Sequence, residues 1–278
     1  MIILLAPICL YYFGYNYYLI ATEKFWKTVD EGVIYVAIKK SKKKTDKKKI
    51  IIGDSVGAQL FPVEKTYDSI YSLATTAPSS LIGSYILIKN LLENQDISGR
   101  TIFYIAHPTS LFEDLRGNFT FSHFVKPFYC KENFQHISPY ADSLLNNIPF
   151  LHFSQLPFII TSNFSPEFDH STSHQKSEIS KLYIEYLTKI KQLSEIERFK
   201  FRVVAPYLRE DQKENNYEAI KEQIDKHKLN KIFEGYFENM TYINIERFET
   251  YGNHYKSLKQ APENEDIYFN KKLLKNPI

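Results

Sequence analysis

The sequence predicts an α/β fold of three layers, in which a mostly parallel five-stranded sheet lies between helices and follows an N-terminal transmembrane helix. Three observations predict it. From Lys49 onward, short apolar runs alternate with helical patterns. The runs are rich in β-branched and aromatic residues and too continuous for strands exposed on one face, which is how buried parallel strands read. Before them, no charged side chain stands between Ile2 and Thr22, about the ~20 residues that span a bilayer.

The N-terminal run, MIILLAPICLYYFGYNYYLIATEKFW, contains Pro7, Gly14, Asn16 and five tyrosines. It lacks the basic start and small-residue cleavage site of a secretory signal. Residues 1–26 are therefore expected to be an uncleaved anchor, with the later tyrosines and Trp26 at the lipid–water boundary. The alternative is a buried core helix. Residues 27–48 are expected to be a Lys-rich juxtamembrane linker. The stretch Lys39 to Lys49 carries eight Lys and one Asp, so it holds +7 and leaves the rest of the chain, whose total is +3, at −4. Such a run is either a solvated linker or a contact for anionic lipid head groups. A body that is not basic gives nucleic-acid binding little support.

Residues 49–278 are expected to form one α/β domain, a size that buries a full core. Its strands are KIIIGD (49–54), SIYSLA (69–74), TIFYIA (101–106), FRVVAPY (201–207) and TYINIE (241–246). Between them, 79–94 carries Leu81, Ile82, Tyr85, Ile88, Leu91 and Leu92 on one helical face, and 177–195 repeats the pattern behind a capping Ser177. A more polar helix follows at 218–229. Alternating strands and helices imply parallel pairing through right-handed crossovers. The stretch 111–173 is long, aromatic and interrupted by prolines. It reads as an insertion over the site, or equally as a packing subdomain.

Ligands in such sheets bind beyond the carboxyl ends of the strands. Ser55 stands there, in IIIGDSVGAQL directly after the first strand, and His254 stands in ETYGNHYKS after the last. A serine hydroxyl is a weak nucleophile until a base takes its proton, and imidazole titrates near neutral pH. The other reading of Ser55 is a helix-capping serine beside a structural Asp54. His107 follows the third strand and either faces the site or bonds to backbone. His123, His136, His152, His170 and His174 lie in the insertion without metal-ligand spacing, and His227 lies on the polar helix. HSTSH (170–174) has helical metal spacing, but its residues favour a loop. No cofactor or metal is expected. The two cysteines, Cys9 and Cys130, make neither a framework nor a recognisable catalytic pair.

The stretch IIIGDSVGAQL resembles the first block of the SGNH, or GDSL-type, hydrolase superfamily, in which the serine of Gly-Asp-Ser is the nucleophile. IYSLATTAPSSLIGSYILIKNLLE is similar to the second block, and ETYGNHYKS occupies the place of the block that bears the histidine. The resemblance covers about Lys49 to Lys256, with the insertion unmatched. It implies a flavodoxin-like topology, catalysis by Ser55 and His254, and an oxyanion hole near Thr76 or Ala77. The family's glycine in the second block is replaced here by Ala77 or Thr76. Its asparagine after the third strand is replaced by AHPTSL, which offers His107, Thr109 or Ser110. Its acid three residues before the histidine is replaced by Tyr251. That leaves Glu249, Glu246, or a Ser–His dyad.

The expected function is that of a serine esterase or O-acyltransferase acting on an acylated, chiefly acetylated, glycan or surface polymer, or on a small acyl ester. The alternative is a catalytically degenerate, membrane-tethered glycan-binding or assembly protein of the same fold. Membrane lipid is the expected partner of the N-terminal helix. The chemistry favours an extracytoplasmic domain, while the Lys run, by the positive-inside rule, favours the cytoplasm.

Overall fold

In the computed structural model, which describes residues 2–167, 178–250 and 252–256, the apolar runs become parallel strands. After helices α1 (Ile2–Ala21) and α2 (Gly32–Ser41) come β1 (Lys49–Gly53), α3 (Ser55–Leu60), β2 (Ile70–Ser72), α4 (Ser80–Asn94) and β3 (Thr101–Ile105). Then follow α5 (Lys181–Ile196), β4 (Lys200–Val204), β5 (Tyr207–Arg209), α6 (Glu218–Lys226) and β6 (Thr241–Ile243). The main sheet has the order β2-β1-β3-β4, all parallel, with Ile50 opposite Tyr71 and Ile102, and Ile102 opposite Phe201.

Both faces of this sheet are buried, and the strands divide their side chains between them. Ile50, Ile52, Ile102, Tyr104, Phe201 and Val203 join the large core with α4, α5 and the insertion. Ile51, Phe103, Ile105 and Val204 join a smaller core with Val56, Tyr207, Phe248 and Tyr255. This is the period of two written into an unbroken apolar run.

The expected five-stranded sheet has four strands. The run 201–207 ends as β4 at Val204, and Ala205-Pro206 separates it from β5. A proline has no N–H for the ladder. β5 turns away and pairs in parallel with β6 in a second, two-stranded sheet, Tyr207 opposite Thr241. The last predicted strand thus never reaches β4.

The transmembrane helix is also corrected. α1 is helical, yet among the described residues no helix is long and apolar enough to cross a membrane. Its tyrosines, Gly14 and Asn16 dilute the apolar run. Asn16 is buried, its side-chain amide donating to Tyr12 O at 2.7 Å and its Oδ1 accepting from Thr161. Leu10, Tyr11, Tyr12, Phe13, Tyr15, Tyr17 and Tyr18 are exposed.

The segment expected to be a linker is largely structured. Ile34, Ala37 and Ser41 are fully buried at helical spacing along α2, which packs against α4. The Lys run therefore begins inside a helix: Lys40 donates to Val63 O at 3.0 Å, and Lys39 pairs with Glu23.

The insertion is a series of short helical turns that buries Leu111, Leu115, Phe121, Phe124, Phe128 and Leu145 in the large core. It leaves and rejoins the body at one place, since Ser180 N–H donates to Leu111 O at 2.9 Å and its hydroxyl to Glu113 O at 2.7 Å. Ser180 also caps α5, accepting from Tyr183 N–H. The expected cap, Ser177, lies outside the described residues.

Candidate active site

The turn from β1 into α3 depends on close backbone approach. A Cβ on Gly53 would stand 2.5 Å from Ile105 O, inside the carbonyl of the neighbouring strand. Gly57 approaches the same residue one helical turn later, with 3.2 Å between its hypothetical Cβ and Ile105 Cβ. Between them, Asp54 is almost fully buried and caps α3, its Oδ1 accepting from Val56 N–H at 3.0 Å and Gly57 N–H at 3.1 Å. Its Oδ2 accepts from His107 N–H at 2.7 Å and from the Ser110 hydroxyl at 2.6 Å. Four donors fix this carboxylate, and it fixes the turn that presents Ser55.

Ser55 Oγ lies 2.7 Å from His254 Nε2, across 199 residues of chain. The loop that carries the histidine is held from several sides. Phe248 and Tyr255 form an antiparallel bridge and bury their rings in the smaller core. Gln59 of α3 accepts from Tyr255 N–H at 3.0 Å. Arg209, at the end of β5, donates to Gly252 O at 3.0 Å, and Gly252 turns with φ +128°, a conformation open to glycine. Glu249 Oε2 stands 3.9 Å from His254 Nδ1, with both side chains about half exposed. Its main-chain N–H also donates to His254 O at 2.8 Å. Glu246 is exposed and its N–H is taken by Asn244. Tyr251 lies outside the described residues.

The residues proposed as oxyanion or substrate donors separate into two groups. Thr76 and Ala77 follow β2 at the same sheet edge, because Thr75 N–H donates to Gly53 O at 3.1 Å. The Thr76 and Ser80 hydroxyls are buried without a partner among the described residues, and Ser80 has φ +59°, ψ 170°. That backbone region is ordinarily glycine's, and such strain is held where the surroundings over-determine it. The second group, after β3, is already engaged. Ser110 serves Asp54, and Thr109 bonds His107 Nδ1 through its hydroxyl at 2.8 Å and its N–H at 3.2 Å.

His107 is buried, and both of its ring nitrogens meet protein groups. Its Nδ1 accepts from Thr109 N–H, so its proton sits on Nε2, which donates to Gln212 Oε1 at 3.2 Å. Burial holds its pKa below the usual imidazole value, against the opposing effect of Asp54. Gln212 and Asn253 are residues that sequence reading did not select. Cys130 is no rival nucleophile: burial pushes its thiol up to about 11. His170 and His174 lie outside the described residues, and among those described no cluster of His, Cys, Asp or Glu could hold a metal ion.

What the arrangement offers chemically is a hydroxyl on a base, at the ligand-facing end of a parallel sheet, beside a turn with free polar groups. No family model, curated protein or solved structure matches the chain.

Proposed function

We propose that the chain is a serine esterase or O-acyltransferase of the SGNH type, acting on an acylated glycan or surface polymer. One observation carries the reading: a 2.7 Å contact between Ser55 Oγ and His254 Nε2, at the carboxyl ends of the strands. The strand order β2-β1-β3-β4 agrees with the flavodoxin-like topology that the resemblance implies.

In this reading His254 Nε2 takes the Ser55 proton as Oγ bonds to the ester carbonyl carbon. The oxyanion meets the amide of Ser55, which the Asp54 carboxylate leaves unused, and the Thr76–Ala77 turn. A preorganised donor of this kind is worth about 3 kcal/mol. The tetrahedral intermediate collapses, the alcohol leaves with the proton from His254, and an acyl-serine remains. Water then completes hydrolysis, or a sugar hydroxyl completes transfer, with His254 again taking the incoming proton.

A second reading, a degenerate glycan-binding relative, is favoured by the engagement of all three candidate donors after β3, His107, Thr109 and Ser110, in bonds within the protein. A fluorophosphonate probe separates the two. Labelling at Ser55 in the wild type, abolished in Ser55→Ala together with release of acetate from acetylated glycans or simple esters, is the expected outcome. A folded wild-type protein that neither labels nor turns over would sink the enzymatic reading.

A further inference from the structure

Asp54 precedes the proposed nucleophile in the chain, and Asn253 precedes the proposed base. One residue touches both. His107 gives its main-chain N–H to Asp54 Oδ2 at 2.7 Å, and its ring meets Asn253 Nδ2 at 3.3 Å.

Around that ring the donors and acceptors close a circuit. His107 Nε2–H donates to Gln212 Oε1 at 3.2 Å, Gln212 Nε2–H donates to Asn253 Oδ1 at 2.8 Å, and Asn253 Nδ2–H donates to His107 Nδ1. The three bonds run in the same direction, and Thr109 braces the junction, its hydroxyl 2.8 Å and its N–H 3.2 Å from His107 Nδ1 and its Oγ1 3.4 Å from Asn253 Nδ2. Such chains polarise one another and are worth more than their separate bonds. The circuit joins three parts of the chain: the loop after β3, the turn after β5, and the loop that bears His254.

We propose that the His107–Gln212–Asn253 cycle sets the separation of Ser55 and His254, and that these three are positioning residues. The proposal rests on the Ser55–His254 reading above. It reassigns His107 from a substrate donor to a strut between the residue before the nucleophile and the residue before the base.

The Asn253 link of the cycle needs an unprotonated His107 Nδ1. A second proton on His107 would turn Nδ1 from acceptor to donor; the Thr109 hydroxyl at 2.8 Å can turn to accept it, but the Asn253 amide and the Thr109 N–H, both donors, lose their acceptor. The titratable groups that face His107 are Asp54, which favours the charged ring, and His254, which opposes it. Acidification therefore opens the cycle at a pH below the ordinary imidazole value. This loss of geometry is separate from protonation of His254 itself.

The test uses the full chain with Gln212→Ala, 41 residues from Asn253, and Asn253→Ala as a second variant. Three readouts are compared with wild type: fluorophosphonate labelling rate at Ser55 against pH, amide exchange of residues 252–255, and imidazole nitrogen shifts of His107. Labelling should fall about 10- to 100-fold at saturating probe, with the saturation constant unchanged, as expected for lost alignment. The loop amides should exchange at least about tenfold faster, with the melting temperature near that of wild type. In wild type, His107 should carry its proton on Nε2, and its protonation should coincide with faster loop exchange. Labelling and exchange within about twofold of wild type in both variants would overturn the proposal. If wild type fails to label, the hydrolase reading fails, while exchange and nitrogen shifts still decide the cycle.

Discussion

At the scale of the residue, the weakest member of the site is the acid. Glu249 reaches His254 Nδ1 only at 3.9 Å, from a half-exposed position. Exposed pairs are worth about 0.2–1 kcal/mol, so Glu249→Gln should lower kcat/KM by less than about fivefold. A buried triad acid would cost about 10⁴-fold, and a loss of that order on acetyl-ester turnover would overturn the assignment. Ser55 and His254 were legible because their types carry chemistry and their places follow the first and last apolar runs. The glycines of GDSVG make physical sense once Ile105 is seen pressing on Gly53 and Gly57. Gln212 and Asn253 were not legible. Amides have no distinctive chemistry, and these two meet only because β5 and β6 pair. His107 was seen but its direction was not, since a sequence shows that a histidine follows a strand and not which way its ring turns.

At the scale of the element, α2 and the insertion are joined by a buried ion pair. Glu31, at the N-terminus of α2, meets Lys126 Nζ at 2.6 Å, and neither side chain has any exposed surface. Lys126 also donates to Ser162 O at 2.6 Å, within the insertion. Lys126→Met would leave Glu31 a buried carboxylate without its cation, at a cost of about 3–5 kcal/mol. Adding Glu31→Leu to that variant should recover most of the loss, because an apolar pair needs no compensation. Urea unfolding of the two variants checks this, and equal destabilisation by single and double changes would refute it. α4 and α5 were legible from their apolar spacing, and α6 as a more polar helix. α2 was not: Ile34, Ala37 and Ser41 mark a packed face, but the lysines beside them dominated the composition. The split of 201–207 was written in Ala205-Pro206, and the length of the apolar run concealed it.

At the scale of the whole molecule, the main sheet separates two cores of unequal size. The larger holds α4, α5 and the insertion. The smaller holds Phe248, Tyr255 and Tyr207, which carry the His254 loop, with Val56 of α3 beneath them. The alternation of Ile50, Ile51 and Ile52 between the two was legible as a run buried on both faces. The separate β5–β6 sheet was not, because pairing partners are not encoded in a strand's own pattern. The site thus joins the end of a strand of the main sheet to a loop that follows the small β5–β6 sheet. Ser55 opens α3 directly after β1 of the main sheet, whereas the His254 loop is held by the isolated Phe248–Tyr255 bridge and by hydrogen bonds with Gln59 and Arg209. Regions with few buried contacts open at free energies well below the global value. In rising urea, Ser55 labelling should therefore vanish before the helical circular dichroism signal moves, and coincident transitions would show a single unit. The base would be disengaged by a fluctuation that leaves nearly all of the fold in place.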